Sequence, residues 1–232
     1  MNFIWAQEVV TFQASDGLTV TANLYEVDAS YPYIVLFHQA GYSKGEYKAS
    51  AIKLIKLGYN CLAVDLRSGG GVNFVQNETA NLAKAKGMAT TYLEAEKDML
   101  AAIDYAYSKN SRPMILFGSS YSASLAMKIA KGNSKVKAVI AFSPGEYFQP
   151  DMVMKDQLVG FDKPVFVACS QREFSYMNDL LANIPTDLKT VFKPQEGPGE
   201  HGSKSLWQSC PTNKEYWLAL LMYFKKLDNL PK

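Results

Sequence analysis

The sequence predicts an α/β fold built on a mostly parallel eight-stranded sheet with helices on both faces. Three observations carry this reading. The chain opens on two strand-like segments joined by a turn signal, and short apolar runs then alternate with helical stretches. Those runs are unbroken rather than alternating, as strands buried on both faces require. The 232 residues are 48% hydrophobic and 20% charged, which suits one substantial core. No repeat, low-complexity tract or linker interrupts the rhythm, so the expectation is a single domain over 1–232.

The elements follow in order. Residues 8–14 and 18–26 flank Ser15-Asp16-Gly17 and read as a hairpin. The run 33–37 is a buried strand, followed by a polar loop at 38–45 and a helix over 46–57 that Gly58 stops. Residues 60–64 form a strand, 68–72 a Gly-rich loop and 91–108 a long helix. Strands at 114–117 and 136–142 bracket a helix at 120–131. A strand at 165–168, a short helix at 176–183, a last strand at 188–192 and a closing helix at 213–227 complete the chain.

Bulk chemistry excludes several functions. The formal net charge is +2, and Lys and Arg are dispersed, so no concentrated positive face offers itself to nucleic acid. No stretch approaches the ~18 apolar residues of a membrane span. The opening ten residues lack the basic and apolar regions of a signal peptide. The expectation is therefore a cytoplasmic protein, the alternative being a secreted one whose leader has been removed. Cys61 and Cys169 lie in apolar strand-like runs and Cys210 in a polar loop. Three cysteines without CxxC spacing argue against a disulfide framework or a zinc site.

The sharpest local signal is Gly118-Ser119-Ser120-Tyr121-Ser122, between the apolar run 114–117 and a helical segment. It resembles the G-x-S-x-G nucleophile elbow of the α/β hydrolases in its strand-turn-helix setting. There the chain reverses around one residue whose side chain is thrust out at the sheet edge, and the flanking positions must be small. Gly118 meets that demand; Ser122 stands where the family usually has glycine. The same residues also suit an ordinary turn with Ser119 or Ser120 as N-cap.

A serine hydroxyl needs a base, and the chain has two histidines, His38 and His201. The α/β-hydrolase order of serine, acid, histidine selects His201, in the Gly-rich loop 196–202; the plainer reading is a solvent-exposed loop histidine. An acid must fix the imidazole tautomer. Resemblance to the family's seventh strand puts Ser170 at its small position and Glu173 at the acid. Asp179, Asp187 and Glu196 are rivals, and pairing with Arg172 is the structural alternative for Glu173.

Acyl transfer also needs donors for the oxyanion. The resemblance implies the backbone N–H of Tyr121, and a second from Phe37-His38-Gln39-Ala40-Gly41-Tyr42, which is similar to the family's H-x-x-G segment. By position that donor is Ala40, with Gln39 as its competitor, and His38 then ties the loop in place. The run Asp65-Leu-Arg67-Ser-Gly-Gly-Gly71 resembles the family's D-x-R-G-x-G turn, whose Asp and Arg pin loops; it lacks the Lys-Ser/Thr and following helix of a phosphate loop. The span 143–163 leaves room only for a minimal cap. The expected cleft is lined by Gln39, Tyr42, Tyr121, Tyr147, Phe148 and Trp207, although aromatic side chains equally serve as packing.

The whole resembles the dienelactone-hydrolase-like branch of the α/β-hydrolase superfamily. Dienelactone hydrolases proper use cysteine in the elbow, so their substrate does not carry over to Ser120. The resemblance implies a serine hydrolase cleaving a small carboxylic ester through Ser120, His201 and Glu173, with no cofactor and no metal. Its rivals are a serine peptidase or thioesterase on the same triad, and a non-catalytic binding protein that retains the fold. The oligomeric state is not legible.

Overall fold

The structure, a computed structural model, describes residues 7–229. The first six residues, part of the opening read above for a leader, lie outside it. Strands β1 (Gln7–Gln13) and β2 (Thr19–Tyr25) form the antiparallel hairpin. After them come β3 (Tyr33–Phe37), α1 (Lys48–Ile55) and β4 (Asn60–Val64). A two-stranded ribbon, β5 (Gly71–Val72) with β6 (Val75–Gln76), precedes α2 (Glu78–Ala85) and α3 (Ala95–Asn110). The second half runs β7 (Met114–Ser119), α4 (Tyr121–Ala130), β8 (Val136–Phe142), α5 (Met154–Gln157), β9 (Val165–Ala168), α6 (Phe174–Leu180), β10 (Lys189–Phe192) and α7 (Asn213–Asp228).

Eight strands share one sheet in the order β1-β2-β4-β3-β7-β8-β9-β10. β2 meets both neighbours antiparallel, and every pairing from β4 to β10 is parallel. The central strands β3, β4 and β7 are buried along their whole length, which explains why their sequences are apolar without alternation. α3 and α4 pack one face through Met99, Ile103, Leu125 and Met127. α1 and α7 pack the other through Leu54, Ile55, Leu220 and Phe224. Between β8 and β9 the only helix is the single turn α5, so the cap is minimal, as the sequence predicts.

Several boundaries differ from the sequence reading. The helix expected from 46 begins at Lys48, because Lys44–Tyr47 form a 3₁₀ turn with four buried residues. In that turn the Tyr47 hydroxyl donates to Phe37 O (2.7 Å). The ribbon β5–β6 and helix α2 were not anticipated. α2 is N-capped by Asn77, whose side-chain oxygen accepts from Ala80 N–H (2.7 Å). The long helix starts at Ala95 rather than 91, and the short one spans Phe174–Leu180 rather than 176–183. Cys210, read as a polar-loop residue, is buried like Cys61 and Cys169.

The Asp65–Arg67 turn after β4 is pinned by charge. Lys44 Nζ lies 2.7 Å from Asp65, and both side chains are buried. Arg67, fully buried, forks onto Asp98 (2.7 Å) and Asp16 (2.6 Å), joining α3 to the first hairpin turn. The Arg67 hydrogen bond, against a smaller effect of burial, holds the Asp16 carboxyl down at about 2. This region is structural, as the motif implied.

Candidate active site

The strands β3, β7, β8 and β9 and the loop after β10 deliver their polar residues to the carboxyl edge of the sheet, where ligands bind in open α/β folds. At the end of β7 the chain turns into α4 around Ser120, whose φ of 62° and ψ of −126° are unusual for a non-glycine residue. A Cβ on Gly118 would sit 2.4 Å from Ala123 Cα, so only glycine lets helix and strand meet there. Ser122 fits without a glycine because its hydroxyl has a task. It accepts from Ser119 N–H (2.9 Å) and donates to Phe37 O (2.8 Å), standing between β7 and β3.

Three residues distant in sequence converge at this edge. His201 Nε2 lies 2.9 Å from Ser120 Oγ, and His201 Nδ1 contacts Glu173 Oε1. Glu173 Oε2 accepts from Ser170 N–H and the Ser143 hydroxyl, both at 2.8 Å. Burial pushes the Glu173 carboxyl up, but the hydrogen bonds from His201, Ser170 and Ser143 outweigh it and leave the group below its ordinary value. Its carboxylate thus orients an Nδ1–H imidazole and leaves Nε2 facing Ser120. Asp179 pairs instead with Lys155 (2.5 Å).

Ser143 was not singled out in the sequence, where it opens the span read as cap. Its oxygen also accepts from Gly202 N–H (2.9 Å), tying the acid to the histidine loop. Gly202 itself admits no side chain: with φ at +71°, a Cβ would meet Gln39 Oε1 at 2.4 Å and Ser119 Oγ at 2.6 Å.

The loop after β3 is equally fixed. His38 is buried, and its Nε2 accepts from Leu66 N–H (2.9 Å) while its Nδ1 bonds Gln39 O (2.8 Å). Burial lowers its tendency to charge, and a neutral ring with its proton on Nδ1 satisfies both contacts. The two candidate donors of this loop differ. Gln39 N–H is already bound to Glu46 Oε2 (2.7 Å), whereas Ala40 N–H makes no hydrogen bond among the described residues. Tyr121 N–H, at the start of α4, is likewise unengaged among them.

The residues expected to line the cleft divide. Tyr42 and Trp207 are half-buried and stack at 6.2 Å. Tyr147 is half-buried, and its hydroxyl donates to Ser143 O (2.8 Å). It borders a small cavity of about 310 Å³ with Gly145, Tyr176 and Leu180. Gln39 is nearly buried, and its side-chain oxygen has no partner among the described residues. Phe148 and Tyr121 offer less surface than expected. Phe148 is 4% exposed and belongs to the core, in the same cluster as Met154 and Leu158; packing is the alternative reading of these aromatic side chains. The Tyr121 ring is fully buried, stacked on Tyr92 (4.4 Å) and held through its hydroxyl by Ser68.

The dienelactone hydrolase family profile matches residues 20–194, from β2 through β10. The chain belongs to the dienelactone hydrolase family. Its architecture is that of the α/β hydrolases. The dienelactone hydrolase of Anabaena variabilis, 15% identical, superposes with a TM-score of 0.71 over 98% of this chain and 99% of its own. An esterase of Pyrococcus furiosus, 14% identical, gives 0.69 over 96% and 91%. The acylaminoacyl peptidase of Pyrococcus horikoshii, 16% identical, gives 0.70 over 98% of this chain and 43% of its own. At such identities the likeness is one of fold. No curated protein sequence matches the chain. This dienelactone hydrolase family member is thus a hydrolase by descent, with serine at its elbow. Among the described residues, no helix is long and apolar enough to cross a membrane.

Proposed function

We propose that this family member hydrolyses small carboxylic esters through an acyl-enzyme formed on Ser120. The observation that carries the reading is the continuous line from Ser120 Oγ through both nitrogens of His201 to Glu173. In the first step Ser120 Oγ attacks the ester carbonyl while its proton passes to His201 Nε2. The resulting imidazolium is stabilised by Glu173, which keeps its own charge. The tetrahedral oxyanion accepts from the free N–H groups of Ala40 and Tyr121. Collapse expels the alkoxide, which takes the proton from His201 Nε2 and leaves as the alcohol. Water then attacks the acyl group, giving its proton to His201, and a second collapse returns that proton to Ser120 and frees the acid.

The minimal cap leaves the site open, and beside it Tyr147, Tyr176 and Leu180 line a small cavity together with the acidic Glu146 and Asp179. The aromatic side of that wall and the repulsion its two carboxylates exert on anions favour short acyl groups without a negative charge. A fluorophosphonate probe is expected to label the wild-type protein and spare Ser120→Ala. Equal labelling of the two would remove Ser120 from the mechanism. p-Nitrophenyl acetate, an acyl-CoA and an aminoacyl anilide tested side by side distinguish an esterase, expected to act fastest on the first, from a thioesterase or peptidase. A wild-type protein that neither labels nor turns over any of them would leave a binding protein on this fold.

A further inference from the structure

The Glu46 carboxylate is fully buried beneath the site, and the triad does not use it. Its two oxygens take three donors from three different loops. Gln39 N–H of the loop after β3 binds Oε2 (2.7 Å). Ser119 Oγ of the elbow binds Oε1 (2.7 Å), and Ser203 Oγ, two residues after His201, binds the same oxygen (2.6 Å). Ser203 N–H donates in turn to Ser119 Oγ (2.8 Å), closing the network. The backbone oxygen of Glu46 accepts from Trp207 Nε1 (2.9 Å), farther along the histidine loop.

A carboxyl group in such a place is costly. Burial raises it above the ordinary carboxylate range even though the hydrogen bonds of Ser203, Gln39 and Ser119 oppose the shift. Among the described residues it forms no ion pair with a Lys or Arg. An apolar side chain would fill the space more cheaply. What it could not do is hold the donor Gln39 N–H, and with it the orientation of the next peptide, in which Ala40 N–H is left free.

We infer that Glu46 is a positioning residue for acyl transfer, a three-way clamp that fixes the oxyanion loop, the nucleophile elbow and the histidine loop relative to one another. The inference rests on the hydrolase reading above for its kinetic consequence, but the clamp is a property of the chain alone. Occupying Gln39 N–H assigns the loop's oxyanion donor to Ala40. Holding Ser119 and Ser203 sets the spacing of Ser120 from His201, and a displacement of about 1 Å there is enough to cost ~10²-fold in rate.

Glu46→Ala removes all three contacts. Glu46→Gln preserves the shape and an acceptor for Gln39 N–H, while its amide group reverses the polarity offered to the serines. With p-nitrophenyl acetate, Glu46→Ala is expected to lower kcat about 10- to 100-fold with KM within about twofold, and Glu46→Gln to fall between it and wild type. Inhibition by an alkylboronic acid, whose tetrahedral adduct needs the oxyanion donors, is expected to weaken by a factor similar to that in kcat. Amide hydrogen exchange is expected to quicken in peptides covering 38–43 and 200–206, and to stay unchanged in those covering β4 and α7. A loss of thermal stability with wild-type kcat and unaltered exchange in both loops would overturn the inference. Should Glu46→Ala fail to fold, Glu46→Gln decides by the same readouts. If the wild type proves inactive on every substrate, the hydrolase reading falls, and the exchange comparison still judges the clamp: no quickening in either loop refutes it.

Discussion

Restoring the family glycine at the elbow, Ser122→Gly, is expected to destabilise this protein. Ser122 is fully buried, and its hydroxyl is the acceptor for Ser119 N–H and a donor to Phe37 O. Phe37 O keeps a second donor, the Tyr47 hydroxyl at 2.7 Å, so its loss is slight. Ser119 N–H is left without that acceptor in a water-excluded site, at a cost of about 1–3 kcal/mol. Glycine in the first turn of α4 adds roughly 0.5–1 kcal/mol of backbone entropy. The sum is about 1.5–4 kcal/mol, which at a urea slope of about 3 kcal/mol/M lowers the unfolding midpoint by roughly 0.5–1.3 M. Ser122→Ala isolates the hydrogen-bond share and is expected to show most of the loss. Equilibrium urea unfolding followed by tryptophan fluorescence measures both. A Ser122→Gly midpoint equal to or above wild type, at unchanged slope, would refute the claim that this hydroxyl joins β7 to β3.

Two further outcomes follow from the site and from the pinned turn. Glu173→Gln keeps the size of the acid but places an amide against His201 Nδ1, favouring the wrong tautomer; kcat on p-nitrophenyl acetate is expected to fall about 10³- to 10⁴-fold with little change in fold by circular dichroism. The Arg67 fork holds Asp16 ionised down to about pH 2, below the unfolded value. Its contribution to stability is therefore complete above about pH 4 and is lost as the pH falls toward 2. Asp16→Asn removes that contribution, so its urea midpoint is expected to drop less than that of wild type between pH 5 and pH 3.

The order of elements was legible because a strand buried on both faces must be apolar throughout, and β3, β4 and β7 are. The elbow was legible because Gly118 reports a close approach of backbone to backbone, and local sequence carries that requirement. His201 was found by inventory, being the one histidine downstream of Ser120. Glu46 was hidden in what reads as the first residue of a helix over 46–57. No period in the sequence distinguishes a carboxylate pointing at water from one pointing at Ser203, 157 residues later.

The sequence by itself determined the sheet, its order of delivery, and which residue types reach its carboxyl edge, since these depend on contacts near in the chain and on the apolar content of each run. Only the tertiary structure decided which backbone N–H after β3 is free, that Phe148 is core, and that Ser143 links the acid to the histidine loop. The physical reason is that a hydrogen bond depends on the direction and distance of two groups at once. When those groups come from separate loops, neither neighbourhood in the chain records the other.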